Sequence, residues 1–217
     1  MHDYHPEGYD FVAGTDEAGY GAWAGTLVVA AVLAPADWVP PSGLTDSKQL
    51  TEAQREALFI ALQRDTRIKY RIGSVDSQTI DRQGVFNVLR HQHEILHQGF
   101  AHEVEGRHRV LFIADGSLKL NHGIRSLPKA DTFVPAVSAA SIFAKVTRDR
   151  GMVAAGQVFP GYGFEKHKGY GVPLHEAALA RLGPCEIHRK SYGPIQRFKK
   201  AEPVGDVFAD FDDLPQE

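Results

Sequence analysis

Only one cysteine occurs in the 217 residues, Cys185, so no internal disulfide can form and the fold must be held by its packed core. Cys185 reads as a small residue in a turn, and such cysteine usage suits a reducing compartment. No apolar run approaches the roughly 20 residues that a membrane-spanning helix needs. The opening stretch, Met1-His2-Asp3-Tyr4-His5-Pro6, lacks a basic start followed by an apolar segment, so the expectation is a cytoplasmic protein without membrane attachment. Internal repeats and low-complexity tracts are missing too. A net positive charge is also missing, because the formal sum is −3.

That sum argues against a nucleic-acid partner only until it is divided along the chain. Residues 138–200 carry 11 Lys or Arg against 4 Asp or Glu, whereas residues 201–217 carry 6 acids and no Lys or Arg. The basic stretch holds Lys145, Arg148, Arg150, Lys166, Lys168, Arg189, Lys190, Arg197, Lys199 and Lys200, with Tyr162, Phe164, Tyr170 and Tyr192 interleaved. Cations so spaced can neutralise phosphates and release their counterions, and flat rings can cover sugars or bases. About half of these cations are expected to touch a substrate, the others being ordinary solvated surface. The length suffices for one core. The expected organisation is a single domain over residues 1–200, helical from about 150, followed by an acidic tail at 201–217 without periodic structure.

Apolar runs and breakers place the elements. Strands are expected at Phe11–Thr15, Thr26–Leu33, Lys69–Val75 and Val110–Ala114, with a short one near Ile124–Leu127. Thr51-Glu52-Ala53-Gln54 has the look of a helix start and the helix should reach about Arg64. One long helix is expected over Ser77–Phe100, another from about Ser138, and another from Pro173 to Gly183. Strands followed by strand–helix alternation suit a mixed α/β sheet with helices on both faces.

The chemistry sits at the strand ends. Asp16-Glu17 follow the apolar run Phe11-Val12-Ala13 and precede the glycine turn Gly19-Tyr20-Gly21. Two such acids are ordinarily solvated turn residues. Here, however, Asp115-Gly116 repeats the pattern after Val110-Leu111-Phe112-Ile113-Ala114, and Asp131 stands just before a helix. If neighbouring strands bring these ends together, several carboxylates meet at one place. Like charges raise each other's pKa unless cations lie between them, and hard divalent ions with oxygen ligands fit that need.

Six blocks in order resemble type 2 ribonuclease H, the ribonuclease HII family. They are Gly14-Thr15-Asp16-Glu17-Ala18-Gly19, Asp46-Ser47-Lys48-Gln49-Leu50, Asp115-Gly116, Lys129-Ala130-Asp131, the run Ser138–Asp149, and Lys166-His167-Lys168-Gly169-Tyr170-Gly171 continuing to Ile187-His188-Arg189-Lys190-Ser191-Tyr192. The resemblance implies a ribonuclease H-like fold, a five-stranded mixed sheet flanked by helices with a C-terminal helical extension. It implies Asp16, Glu17, Asp115 and Asp131 as catalytic metal-holding acids for Mg²⁺ or Mn²⁺. It also implies cleavage of the RNA strand of RNA–DNA hybrids, and of ribonucleotides embedded in duplex DNA, leaving 5′-phosphate and 3′-hydroxyl ends. Substrate contacts are expected from Gly19, Tyr20, Gly21, Lys48, Lys145, Lys166, Lys168 and Tyr170. The expected state is a monomer, with no protein partner assigned.

The chain departs from the family at Tyr20, where the usual turn is Gly-Arg-Gly, at Ala22-Trp23-Ala24, and at Ser117 in place of a common asparagine. Tyrosine cannot make arginine's bidentate charged contact with phosphate. Two rival readings therefore stay open: an altered or inactive hybrid-binding protein, and a nuclease of this fold acting on other structured nucleic acid. Among the histidines, His93 and His97 have a one-turn spacing that zinc can use. Without cysteines or patterned carboxylates nearby, His91, His93, His97, His102 and His108 are read as surface residues. His167 and His188 lie in family blocks near the groove, where a phosphate contact is the lesser of the two readings.

Overall fold

The computed structural model describes residues 4–198 except 105 and 107. The acidic tail expected at 201–217, together with Lys199 and Lys200, lies outside the described residues. Among the described residues no helix is long and apolar enough to cross a membrane.

The apolar runs form the sheet. β1 (Phe11–Ala18) pairs antiparallel with β2 (Leu27–Pro35), and β2 pairs antiparallel with β3 (Lys69–Val75). On its other side β1 pairs parallel with β4 (Val110–Asp115), which pairs parallel with β5 (Arg125–Leu127). The order β3-β2-β1-β4-β5 is the expected five-stranded mixed sheet. β1 continues past the expected end at Thr15, because Val28 and Val29 of β2 carry the ladder on to Ala18 and Glu17. The two acids thus belong to the strand itself. Their neighbour relations are fixed by main-chain bonds.

Helices cover both faces. α1 (Glu52–Arg64) starts at Thr51 with a reciprocal capping box to Gln54, as its sequence predicts. The single helix expected over 77–100 divides into α2 (Ser77–Gln83) and α3 (Val85–Val104). The break falls at Gly84, whose φ of 81° closes the first helix with a bond to Ile80. α4 (Pro135–Val158) begins earlier than the expected Ser138 because proline, lacking an N–H, is at home in a first helical turn. α5 (Phe164–His167), α6 (Pro173–Leu182) and α7 (Gly193–Gln196) complete the C-terminal region.

Strand alternation sorts the core. Val12, Ala18, Val28 and Val32 face α1 and α4, packing with Leu58, Phe59 and Phe143. Ala13, Leu27, Val29 and Leu33 face α2 and α3, packing with Ile80, Leu89 and Phe100. A third cluster, including Met152, Tyr162, Phe164, Leu179 and Ile195, joins the C-terminal helices to the far half of α4. At the centre, a Cβ on Gly14 would lie 2.4 Å from the Val137 nitrogen, so only glycine lets α4 lie this close to β1. That contact brings the start of α4 beside the acids.

Candidate active site

β1, β4 and the turn before α4 deliver four carboxylates to one end of the sheet. Asp16 faces the α4 side and is 4% exposed; Glu17, on the opposite face, is half-buried. The Glu17 N–H donates to Asp16 Oδ1 at 2.7 Å, fixing the first carboxylate on its own backbone. Asp115, the last residue of β4, accepts the Ala130 N–H at Oδ1, also at 2.7 Å. That bond ties β4 to the helical turn Ala130–Thr132, which carries the buried Asp131.

Burial and crowding disfavour charge here. Asp16 is pushed well above the ordinary carboxylate range by burial first, then by the charges of Glu17, Asp115 and Asp131. Asp115 is raised by burial and by Glu17. Asp131 is raised to about 6 by burial, then by Asp115 and Asp46. One cation is already near: Lys48 Nζ lies 4.0 Å from Asp131 Oδ2. Burial lowers the Lys48 ammonium, but Asp16, Asp46, Asp131 and Asp115 together outweigh it and raise the group.

A donor set made only of carboxylate oxygens suits hard divalent cations such as Mg²⁺ or Mn²⁺ and disfavours softer metals. Among the described residues no three such donors already close around a single point. The fit therefore lies in donor chemistry and in the crowding of these acids at one end of the sheet. Lys48 itself is held by its loop, where the Asp46 side chain accepts the Lys48 N–H at 2.9 Å. Ser47 is pinned to α4 by a 2.7 Å hydroxyl bond from Ser141.

Beside the acids lies a cleft of about 370 Å³ lined by Asp16, Glu17, Gly19, Tyr20, Gly21, Lys48, Lys145 and Tyr170, with Ala18 and Ser47. The structure thus gathers six of the eight expected substrate contacts. Lys166 and Lys168 do not line the cleft; they stand on α5 and the turn after it. Lys145 Nζ is 2.9 Å from Asp149, one helical turn away, and 5.7 Å from the centroid of the Tyr170 ring. The amine is thereby steered along the cleft wall.

Two arginines expected among the phosphate-binding cations have another role. Arg148 and Arg189 are fully buried. Arg148 donates to the carbonyls of Thr26, Lys168 and Ala24 at 2.9, 2.9 and 3.1 Å, and lies over Tyr170. It ties α4 to the β1–β2 connection and to the turn bearing Tyr170. A side chain at Gly19 would collide with it, since the Cβ would stand 2.0 Å from Arg148 Nε, and φ there is +95°. Arg189 donates to the Gly25 carbonyl from Nε and Nη2 and to the Tyr20 carbonyl from Nη1 at 2.8 Å. The Tyr192 hydroxyl donates to the same Tyr20 carbonyl at 2.9 Å. Because a trans peptide holds its C=O and N–H on opposite sides, anchoring that carbonyl inward turns the Gly21 N–H the other way. Space around Gly21 is open.

The C-terminal histidines are structural as well, so the phosphate contact weighed as the lesser reading of His188 does not hold. His188 is fully buried; its Nδ1 accepts the Cys185 N–H at 2.9 Å, and its Nε2 is 3.0 Å from His175 Nε2. His175 Nδ1 lies 3.0 Å from the Tyr170 carbonyl, which accepts its proton. The run from Cys185 through His188 and His175 thus ends on the residue that walls the cleft. His167, half-buried, donates from Nε2 to the Tyr162 carbonyl at 2.8 Å and accepts the Gly169 N–H. Burial pushes His175 and His188 down to about 4.

His93 and His97 are the other correction. Expected at the surface, they are 0% and 1% exposed, on the face of α3 turned toward β1. Their signal was present: Leu89, His93, Leu96, His97 and Phe100 share a helical stripe. Burial and the neighbouring His93 lower His97 to about 3.

This sheet order, with carboxylates delivered by neighbouring strand ends and helices on both faces, defines a ribonuclease H-like hydrolase. The chain belongs to the ribonuclease HII family, whose family model matches residues 13–194. A curated relative, "Ribonuclease HII" of Xylella fastidiosa strain M12, is 41% identical over 189 residues, covering 86% of this chain and 78% of the relative. Among solved structures, the ribonuclease H2 of Pyrococcus horikoshii OT3 matches with a TM-score of 0.62 at 26% identity, over 87% of this chain and 96% of that one. Bst-RNase HIII in complex with Mn²⁺ matches in fold with a TM-score of 0.70 at 19% identity, over 88% of this chain and 70% of that one. The enzyme class is ribonuclease H, a nuclease.

Proposed function

We propose that the chain is a divalent-metal-dependent endoribonuclease that cuts the RNA strand of RNA–DNA hybrids and leaves 5′-phosphate and 3′-hydroxyl ends. The observation that carries this reading is the crowding of the buried Asp16 and Asp131 with the half-buried Asp115 and Glu17, whose mutual repulsion an added divalent cation would relieve. Bound there, Mg²⁺ or Mn²⁺ would supply a water nucleophile and neutralise charge at the phosphate. The chain's own groups do the rest. The four acids hold the ions, while Lys48 and Lys145 offer cations for the substrate's phosphates. Tyr170 presents a flat face to a sugar, kept in place by Arg148 below and His175 behind. The region from about residue 150 is read as part of the same catalytic unit, because Arg148 and Arg189 bind the β1–β2 connection directly. Hybrid cleavage with Mg²⁺ or Mn²⁺, beside hybrid binding in EDTA, tests the proposal. Cleavage only with metal is expected; binding without cleavage under every condition would leave a hybrid-binding protein, and activity confined to structured DNA would reassign the substrate.

The finer question is the single ribonucleotide embedded in duplex DNA, a substrate that the same site is proposed to accept. The 2′-hydroxyl alone distinguishes such a nucleotide, and backbone donors of the Gly19–Gly21 turn, which lines the cleft, are the groups proposed to sense it. Tyr20 is 42% exposed, and its carbonyl is held by Arg189 and Tyr192 independently of its side chain. Tyr20→Arg should therefore keep the turn's shape and add a guanidinium to the cleft. Charge-assisted bonds contribute roughly 1.5–3 kcal/mol, so cleavage of the single-ribonucleotide duplex should rise about ten- to a hundredfold relative to a long hybrid. A wild type already efficient on that duplex, and unimproved by Tyr20→Arg, would show that tyrosine serves the same purpose.

A further inference from the structure

Glu17 is backed by two buried histidines of α3. Residues 13, 15 and 17 of β1 point toward α3, so Thr15 and Glu17 share a side of the sheet with His93 and His97. The Thr15 hydroxyl lies 2.7 Å from His93 Nδ1 and 3.0 Å from His97 Nε2. The far nitrogen of His93, Nε2, is buried without a hydrogen-bond partner and stands 3.6 Å from Glu17 Oε2. Among the described residues His97 Nδ1 is the other buried ring nitrogen without a partner at hydrogen-bond distance, and the Ile113 main chain lies beside that ring.

A hydroxyl has one proton, so Thr15 can donate to only one of the two rings and must accept from the other. Donation to His93 Nδ1 places that ring's proton on Nε2, aimed at Glu17. The charge of the Glu17 carboxylate, 3.6 Å from His93 Nε2, favours this direction, in which His97 donates from Nε2 to Thr15, over the reverse one, in which His97 would keep its proton on Nδ1 toward the Ile113 main chain. The donors run in one direction, from His97 through Thr15 and His93 to Glu17. A buried donor left without an acceptor opposes folding, and rotation of the Glu17 carboxylate onto Nε2 removes that penalty.

We propose that His93 is a positioning residue for Glu17, holding its carboxylate toward the shared acid site through a ring oriented by Thr15 and His97. The inference rests on the reading that Glu17 helps to hold a divalent ion. Partners that orient metal-holding groups are worth about 10–100-fold in metal affinity. The test is Mn²⁺ binding to the whole protein by calorimetry without substrate, beside thermal melting and a KM and kcat comparison. His93→Leu should weaken Mn²⁺ binding about tenfold or more and leave KM for the hybrid unchanged. Thr15→Val should act in the same direction by less, and His93→Gln, whose amide reaches the Nε2 position, should restore most of the affinity. In a Glu17→Gln background the His93→Leu effect should vanish. A folded His93→Leu that binds Mn²⁺ like the wild type overturns the proposal; if that variant does not fold, wild-type binding by Thr15→Val does so. Unchanged Mn²⁺ binding in Glu17→Gln itself would instead remove the metal reading beneath it.

Discussion

Asp16→Asn is expected to abolish cleavage while making the metal-free protein more stable. Asparagine keeps Oδ1, so the 2.7 Å bond from the Glu17 N–H survives, and the packing against Ala30 and α4 is unchanged. What disappears is the negative charge. Loss of one ion-holding carboxylate removes several kcal/mol of transition-state stabilisation, a fall of about a thousandfold or more. Stability moves the other way, because the Asp16 pKa is raised in the folded chain, so its ionised form opposes folding at neutral pH. Each kcal/mol relieved raises the melting temperature by roughly 2–4 °C for a chain of this size. The gain should shrink at low pH, where wild-type Asp16 is already protonated. Hybrid binding in EDTA should stay within a few-fold, since Lys48, Lys145 and the Gly19–Gly21 turn are untouched. Near-normal turnover in the variant would remove Asp16 from the ion-holding set, and a lowered melting temperature at pH 7.5 would show that its charge is already balanced.

The acids were legible in the sequence because each follows an apolar run or precedes a helix, and a strand end is a local feature. Their meeting was not legible from periodicity, because it depends on β4 lying parallel to β1, a pairing between residues about a hundred positions apart. The family resemblance supplied that topology. Arg148 and Arg189 show the opposite failure: clustered positive charge suggested a phosphate surface, yet both guanidinia are consumed by backbone carbonyls of the β1–β2 connection. Composition counts charges and cannot say which of them face inward. Arg189 lies close to the apolar Ile187 and aromatic Tyr192, which was the only local hint. His93 and His97 were readable, since they continue an apolar helical stripe. Histidine's polarity outweighed that spacing in the sequence reading, and Thr15, the hydroxyl that makes their burial tolerable, lies far away in sequence.

Those buried histidines predict an acid sensitivity that the carboxylates conceal. His97 is lowered to about 3, and His175 and His188 to about 4, each by burial first. Their unfolded counterparts take up protons near 6.5, so the folded state loses stability as pH falls from about 6.5 toward 4. Raised carboxylates act with the opposite sign. Asp131, raised to about 6, and Asp16 and Asp115 bind protons in the folded state before they do when unfolded, and so add stability over the same interval. Three groups oppose three, and the metal-free wild type should show only a shallow change between pH 6.5 and 4. Removing two of the compensating acids in Asp16→Asn/Asp131→Asn should expose the histidines. With roughly two protons then unbalanced, stability should fall by about 3 kcal/mol per pH unit near pH 5, although at pH 7.5 the double variant should be the more stable protein. Urea midpoints at pH 7.5, 6.5, 5.5 and 4.5 measure both slopes. A double variant as flat as the wild type would mean that the histidines accept protons within the folded chain, and that the chain from Cys185 to the Tyr170 carbonyl tolerates charge.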